Sequence, residues 1–283
     1  MAGPTVERTA FNGIDAFRLT AAGGATAVVS LLGGQVLSWR TADGREQLYL
    51  SERACYDGTA SIRGGIPVCF PQFSGLGPLP KHGLLRTRMW LPAERNCRGD
   101  YAVMTFAVED DAASRALWPH AFRAEVSVAV EGNRLDVELS VENTGSEAFG
   151  FTGALHTYLR VAEVERIALQ GLHGLEFRDA ANGNVVRRDG WPELAVDGEV
   201  DRVYHDVGGA LLLQDGSRRL GIHAAGFPDV VVWNPWESRC ASLPDMAPGD
   251  FRRMLCIEAA VARRPARLAA GQVWSGRQSL AVI

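Results

Sequence analysis

Cysteine is scarce in this chain of 283 residues. There are five, at 55, 69, 97, 240 and 256, odd in number, scattered, and without a Cys-x-x-Cys pair. That excludes a disulfide framework and zinc sites of the usual spacing, and it points to reduced thiols in a cytoplasmic protein. No apolar run approaches the roughly 18 residues that a bilayer-spanning helix needs. The opening MAGPTVERTAF has neither a basic stretch nor an apolar one, so it does not read as a secretory signal. Positive charge is not in surplus either: 29 Lys and Arg face 33 Asp and Glu, a net charge of -4. With no basic stripe, nucleic acid is not expected as a partner. Four motifs are missing as well: GxSxG, GxxxxGK[ST], GxGxxG after a strand, and HExxH. Their absence removes nucleophile-elbow hydrolases, P-loop and dinucleotide-binding folds, and zinc peptidases.

Helical periodicity is nearly absent, confined to 51–56 and 111–119. Strand signals take its place. The stretches 25–32, 34–39, 101–108, 122–130, 134–142, 149–161, 166–170, 211–214, 219–224, 229–233, 254–261 and 278–282 are short and either alternating or β-branched. Turn residues separate them, such as Asp43-Gly44, Glu131-Gly132-Asn133, Asn143-Thr144-Gly145 and Asp215-Gly216. Many strands without alternating helices predict an all-β sandwich or barrel. A hydrophobic content of 47% is ample for a large core. No linker, low-complexity tract or internal repeat interrupts the pattern, so residues 1–283 read as one domain.

The stretch 62–90, IRGGIPVCFPQFSGLGPLPKHGLLRTRMW, stands apart. It holds the cations Arg63, Lys81, Arg86 and Arg88 and the imidazole of His82. Gly64, Gly65, Pro67, Pro71, Gly75, Gly77 and Pro78 rule out regular structure over most of it. Such a loop suits bringing backbone and cations close to a small anionic or polyhydroxylated ligand.

Two strands carry candidate chemistry. In 149–161, FGFTGALHTYLRV, alternation places Thr152, Ala154, His156, Tyr158 and Arg160 on one face. That face is either functional or simply turned to solvent. In 254–261, MLCIEAAV, Glu258 interrupts an apolar run. A carboxylate there costs several kcal/mol unless paired, hydrogen-bonded or protonated. It is therefore a general-base candidate or half of a buried ion pair with an arginine. Asp201 sits in a loop-flanked VDRVYHD. Trp233 and Trp236 lie in a long loop, 233–246, as sugar-stacking surfaces or core plugs. His120, His173, His205 and His223 form no constellation and read as surface or satisfied core histidines.

Seven segments, taken together, resemble the glucose-6-phosphate 1-epimerase (hexose-6-phosphate mutarotase) family of the aldose 1-epimerase, galactose mutarotase-like group. They are Arg63-Gly-Gly-Ile-Pro-Val-Cys-Phe-Pro-Gln-Phe, Leu79-Pro-Lys-His-Gly-Leu-Leu-Arg86 with Trp90, Ala154-Leu-His-Thr-Tyr158, Asp201-Arg-Val-Tyr204, Asn234-Pro-Trp236, Met254-Leu-Cys-Ile-Glu258, and Leu268 to Gln278 with Gly271 and Trp274. They run in the family's order from about residue 30 to the end.

The resemblance implies a large antiparallel β-sandwich with a shallow sugar cleft, no cofactor and no metal, and interconversion of the α and β anomers of a hexose 6-phosphate. It implies that His156 and Glu258 are catalytic, and that Arg63, Lys81, Arg86 and Asp201 contact substrate, with His82 beside them. The chain departs from the family at two points: Lys81 stands where relatives often carry Gln, and Gln72 where an aromatic is common. Mutarotation needs a base at the C1 hydroxyl and an acid at the ring oxygen. On that basis Glu258 is the expected base and His156, as imidazolium, the expected acid. Arg63 and Arg86 are expected to fork the phosphate, with Lys81 and Arg88 as further cations. A monomer is expected. The competing readings are an aldose 1-epimerase for unphosphorylated sugars and a non-catalytic sugar-phosphate-binding protein.

Overall fold

The computed structural model describes residues 3–283. Strands dominate it, all paired antiparallel, in three sheets. A four-stranded meander runs Thr5–Phe11, Ile14–Thr20, Thr26–Ser30 and Val36–Arg40. A nine-stranded sheet has Val273–Val282 near its middle, flanked by Arg218–Ala225 and Arg134–Asn143. An eight-stranded sheet is centred on Asp229–Asn234, Met254–Leu268 and Phe149–Leu155, with Tyr158–Arg160 also pairing to Met254–Leu268. The expected large antiparallel β-sandwich is what the chain forms.

The sequence explains which faces meet. Phe122–Glu131 and Arg134–Asn143 alternate strictly between buried and half-buried residues, as strands with one packed face do. The central strands of the eight-stranded sheet do not alternate. Asp229–Asn234 is buried throughout, and so is Met254–Leu268 as far as Ala262. Both of their faces are therefore covered. One packs on the nine-stranded sheet, where Phe151 meets Trp274 at 5.3 Å and Phe70 meets Phe122 at 5.1 Å. The other forms the floor of a cleft.

The expected loop, 62–90, contains only one short strand, Val68–Cys69. Its first half laces the meander to the central sheet. Ile66 N–H donates to Val36 O at 2.8 Å and Gly65 N–H to Tyr49 O at 2.7 Å. On the other side Tyr158 N–H donates to Gly65 O and His156 N–H to Pro67 O, both at 2.9 Å. Two glycines make this possible. Gly65 has φ of +62°, and a Cβ there would stand 2.1 Å from Val36 O; at Gly64 a Cβ would stand 2.5 Å from Tyr49 O. Phe70 then anchors the lace, fully buried against Trp118, Phe122 and Phe151.

Two local expectations fail. Residues 51–56 form turns, not a helix, because Arg53 N–H and Ala54 N–H bond back to Ser51 Oγ and Ser51 O and the chain then opens. Residues 233–246 are not a plain loop; they contain the helix Trp236–Ser242. Buried Asn234 closes that excursion, donating to Phe251 O and Met254 O at 2.8 Å each and accepting from Trp236 N–H at 2.9 Å. Among the described residues no helix is long and apolar enough to cross a membrane.

Replacing Gly65 by Ala should lower stability by roughly 2–4 kcal/mol, because the added carbon meets backbone that cannot withdraw without breaking the lacing hydrogen bonds. Urea unfolding of the variant measures it; a loss under about 0.5 kcal/mol would show the lace to be slack.

Candidate active site

Glu258 lies mid-strand in Met254–Leu268, opposite Val231 of the neighbouring strand. Its side chain emerges on the cleft face and is 2% exposed. His156 follows the strand Phe149–Leu155 and precedes Tyr158–Arg160, in a two-residue break in pairing that His156 N–H bridges to Pro67 O. The break lets the imidazole turn toward Glu258. His156 Nδ1 stands 3.4 Å from Glu258 Oε1. Tyr158 stacks under His156 with centroids 4.7 Å apart and rings 9° from parallel, and Trp233 meets both rings edge-on at 6.0 Å. Of the face that 149–161 presents, Ala154, His156 and Tyr158 are buried, and Arg160 at its end is exposed.

Cations rim this pair. Arg63, Lys81, Arg178 and Arg239 line the same cleft, together with Asp201 and His82. Arg63 is fixed by its Nε to Asp245 Oδ2 at 3.0 Å and by Nη1 to Tyr158 Oη at 2.9 Å. So the guanidinium is tied to the aromatic that supports His156. Arg239 comes from the helix Trp236–Ser242 and holds Glu199 at 3.1 Å. Arg178 comes from Glu176–Asp179, beside Asp201 of Val200–Tyr204 in the sheet.

The structure therefore gathers Arg63, Lys81, His82, His156, Asp201 and Glu258 at one cleft, and it leaves Arg86 and Arg88 out of the lining. Arg86 lies behind the loop. Its Nη1 donates to Ser61 Oγ at 2.9 Å and its Nη2 to Lys81 O at 2.6 Å, so it braces the backbone that carries Lys81. Arg88 forks Asp111, the residue capping the helix Ala112–Leu117, at 3.0 and 2.7 Å. Gln72 does not face the cleft either. It closes the loop 73–79 by donating to Leu79 O and accepting from Leu79 N–H, both at 3.0 Å. Arg178, Arg239 and the stacked Tyr158 were not singled out by the sequence as site residues. The two arginines sit on short elements without periodic pattern. Tyr158 was visible only as a neighbour of His156 on an alternating strand.

Electrostatics of the floor follow from dryness. Burial, followed by Asp201, pushes the Glu258 carboxyl well above the usual carboxylate range, while Lys81 and Arg86 pull the other way. Burial holds His156 well below the ordinary histidine value, and His82, Arg86 and Arg63 act in the same direction. In the free cleft burial thus disfavours the imidazolium that ring opening calls for. Three buried atoms state the same tension: His156 Nδ1, Glu258 Oε2 and Asp245 Oδ1 have no hydrogen-bond partner. An unmet buried acceptor is costly and awaits a donor. His156, Cys256 and Glu258 also offer ligand atoms within 4.8 Å of one another. As a cation site the trio is handicapped. Burial favours the protonated thiol and carboxyl, and the rim is positively charged.

A family model described as aldose 1-epimerase matches residues 15–281. The chain belongs to the aldose 1-epimerase family. A protein of Cenchrus ciliaris, provisionally named glucose-6-phosphate 1-epimerase, is 30% identical over 96% of this chain and 86% of its own length. An Escherichia coli K12 protein bearing the same provisional name is 30% identical over 82% of this chain and 79% of its own. A crystal structure from Salmonella typhimurium, provisionally described as a mutarotase, superposes with a TM-score of 0.89 at 25% identity, covering 98% of this chain and 93% of that one.

In this family member His82 is neutral as well. Burial drives its pKa down to about 3, with Arg86, Lys81 and Arg63 adding to the effect. Ser74 N–H donates to its Nδ1 at 3.3 Å, which fixes the proton of the neutral ring on Nε2. Its ring lies 5.3 Å from that of His156. Across pH about 5 to 8 the His82 ring resonances should stay still in heteronuclear NMR. A titration centred near the ordinary histidine value of 6.5 would mean that the ring is wetter than its packing shows.

Proposed function

We propose that this protein is a mutarotase for hexose 6-phosphates, glucose 6-phosphate first among them, with Glu258 and His156 as its acid/base pair. The observation that carries the reading is the pair itself: two titratable groups 3.4 Å apart, nearly dry, on the floor of a cleft whose rim bears four cations. Membership in the aldose 1-epimerase family supports it, as do relatives provisionally named glucose-6-phosphate 1-epimerase.

The chemistry uses one proton in and one out. Glu258 takes the proton of the C1 hydroxyl; the C1–O5 bond breaks as C1=O1 forms; O5 takes a proton from His156. The open aldehyde turns about C1–C2, and the same groups run in reverse on the other face. In the empty cleft burial favours the uncharged form of each group, the acid form of Glu258 and the neutral ring of His156. A dianionic phosphate beside Arg63 and Lys81 offsets the positive charge that opposes the imidazolium. Ring opening uses the pair with the proton on His156 and the charge on Glu258, and proton exchange between the two groups, 3.4 Å apart, supplies that state. Arg63 and Lys81 receive the phosphate, with Arg86 acting from behind through its charge and its brace on the loop. Asp201 accepts sugar hydroxyls, as a carboxylate would repel phosphate. The protein is taken to act as a single-domain monomer, and five free cysteines suit the reducing cytoplasm.

Saturation-transfer NMR on glucose 6-phosphate should show anomer exchange well above the uncatalysed rate. His156→Ala should lower it on the order of 10² to 10⁴-fold while binding persists. Arg63→Ala should weaken action on the phosphate ester far more than on free glucose. Equal exchange of both sugars by the wild type would make it a general aldose epimerase, and binding without exchange would leave a sugar-phosphate-binding protein.

A further inference from the structure

A second cleft, of about 400 Å³, shares no lining residue with the first. Four arginines from four parts of the chain converge on it. Arg45 comes from the turn after Val36–Arg40, Arg160 from the end of Tyr158–Arg160, Arg218 from the start of Arg218–Ala225, and Arg253 from just before Met254–Leu268. Two carboxylates, Glu46 and Asp215, also line it. Both are already committed to local structure. Glu46 accepts from Trp39 N–H at 2.9 Å, Leu48 N–H at 3.1 Å, Ser38 Oγ and Arg40 Nε. Asp215 accepts from Ala162 N–H at 3.1 Å.

The arginines are not satisfied in the same way. Arg218 has a side chain only 8% exposed. Its Nη1 donates to Arg160 O at 2.5 Å and lies 3.4 Å from Asp215 Oδ2, but its Nε and Nη2 are buried without any partner. Buried guanidinium N–H groups left unpaired are unusual and costly. Burial and then the neighbouring Arg45 also disfavour its charge, against the pull of Asp215. Arg160 and Arg253 are exposed and form no side-chain ion pair among the described residues, and Arg45 reaches Asp43 only at 3.9 Å. Ser217 adds a hydroxyl to the lining.

We propose that this cleft is a second anion site, built for a phosphate dianion, either free or carried by a phosphomonoester. A tetrahedral dianion offers oxygens in several directions, and planar guanidinium forks match them in pairs. It would offset the crowding of Arg45 against Arg218 and accept from the exposed guanidiniums of Arg160 and Arg253. The site lies two residues along the strand from Tyr158, the ring under His156. It is separate from the hexose-phosphate cleft and does not depend on the function proposed for that cleft.

The test is a titration of the wild-type protein with inorganic phosphate at constant ionic strength made up with chloride, read at the Arg218 Nε–Hε resonance. A saturable shift is expected. In Arg160→Ser/Arg253→Ser, two exposed positions whose change spares the core, the affinity read at that resonance should fall about tenfold or more. Lys81→Ala, at the other cleft, should leave it unchanged. A second arm repeats the titration with glucose 6-phosphate. Equal affinity assigns the site to the phosphoryl group alone, and tighter binding assigns it to the ester. An Arg218 resonance unmoved by phosphate up to roughly 100 mM, a shift matched by chloride, or equal affinity in the double variant would overturn the proposal.

Discussion

The structure depends on a carboxylate kept dry. Glu258 occupies the middle of a strand buried on both faces, where water cannot stabilise its charge and the cost of ionising it falls on its neighbours. Each part of the cleft answers that cost without cancelling it. His156 stands close enough to exchange a proton but beyond a short hydrogen bond. Lys81 and Arg86 supply positive potential, and Asp201 supplies the opposite sign. Asp229 on the neighbouring strand shows the contrast: its Oδ2 accepts from Ala262 N–H at 2.9 Å and Arg263 N–H at 2.8 Å, which commits it to structure. Holding the cations on the rim leaves the pair titratable.

That separation is built from backbone. The loop 62–70 reaches one edge of the meander and one edge of the central sheet, and its carbonyl at Pro67 fixes the peptide of His156. Arg63, at the start of the same loop, is tied through Tyr158 to the underside of the imidazole. Arg63 and the His156 ring are therefore joined through one loop. A shift of the loop would move the guanidinium and the imidazole together.

Much of this was legible in the sequence. Twelve stretches with period-two or β-branched character pointed to an all-β chain, and the strands that alternate most cleanly, such as Phe122–Glu131, lie where that pattern put them. The lone acid in MLCIEAAV marked Glu258 by the same logic that later explains its raised proton affinity. Strands at the sheet margins were not visible. Leu91–Arg98 is exposed along its whole length, so no apolar face betrays it, and its charges and Pro92 are what an edge strand carries to discourage pairing. Cleft residues on short elements escaped for a related reason. Arg178 and Arg239 are brought in by pairing and by a helix of about two turns, neither of which leaves a local period. The bracing role of Arg86 was not legible because a cation within a cation-rich motif can face the ligand or hold up the loop, and the hydrogen bonds to Ser61 and Lys81 show it holding the loop.

Gln72 has a role of another kind. By bonding both the carbonyl and the amide of Leu79, and the carbonyl of Ser74, it pins the neck of the loop so that the tip hangs outside the closed ring of hydrogen bonds. Leu76 at that tip is half exposed, and a Cβ on neighbouring Gly75 would meet nothing within 4 Å. Composition can therefore drift at Gly75 and Leu76 without disturbing Lys81 or His82, whereas a Cβ at Gly77 would stand 2.3 Å from Gln72 Oε1. The fold thus has a segment beside the cleft that can change in length without displacing the Glu258–His156 floor.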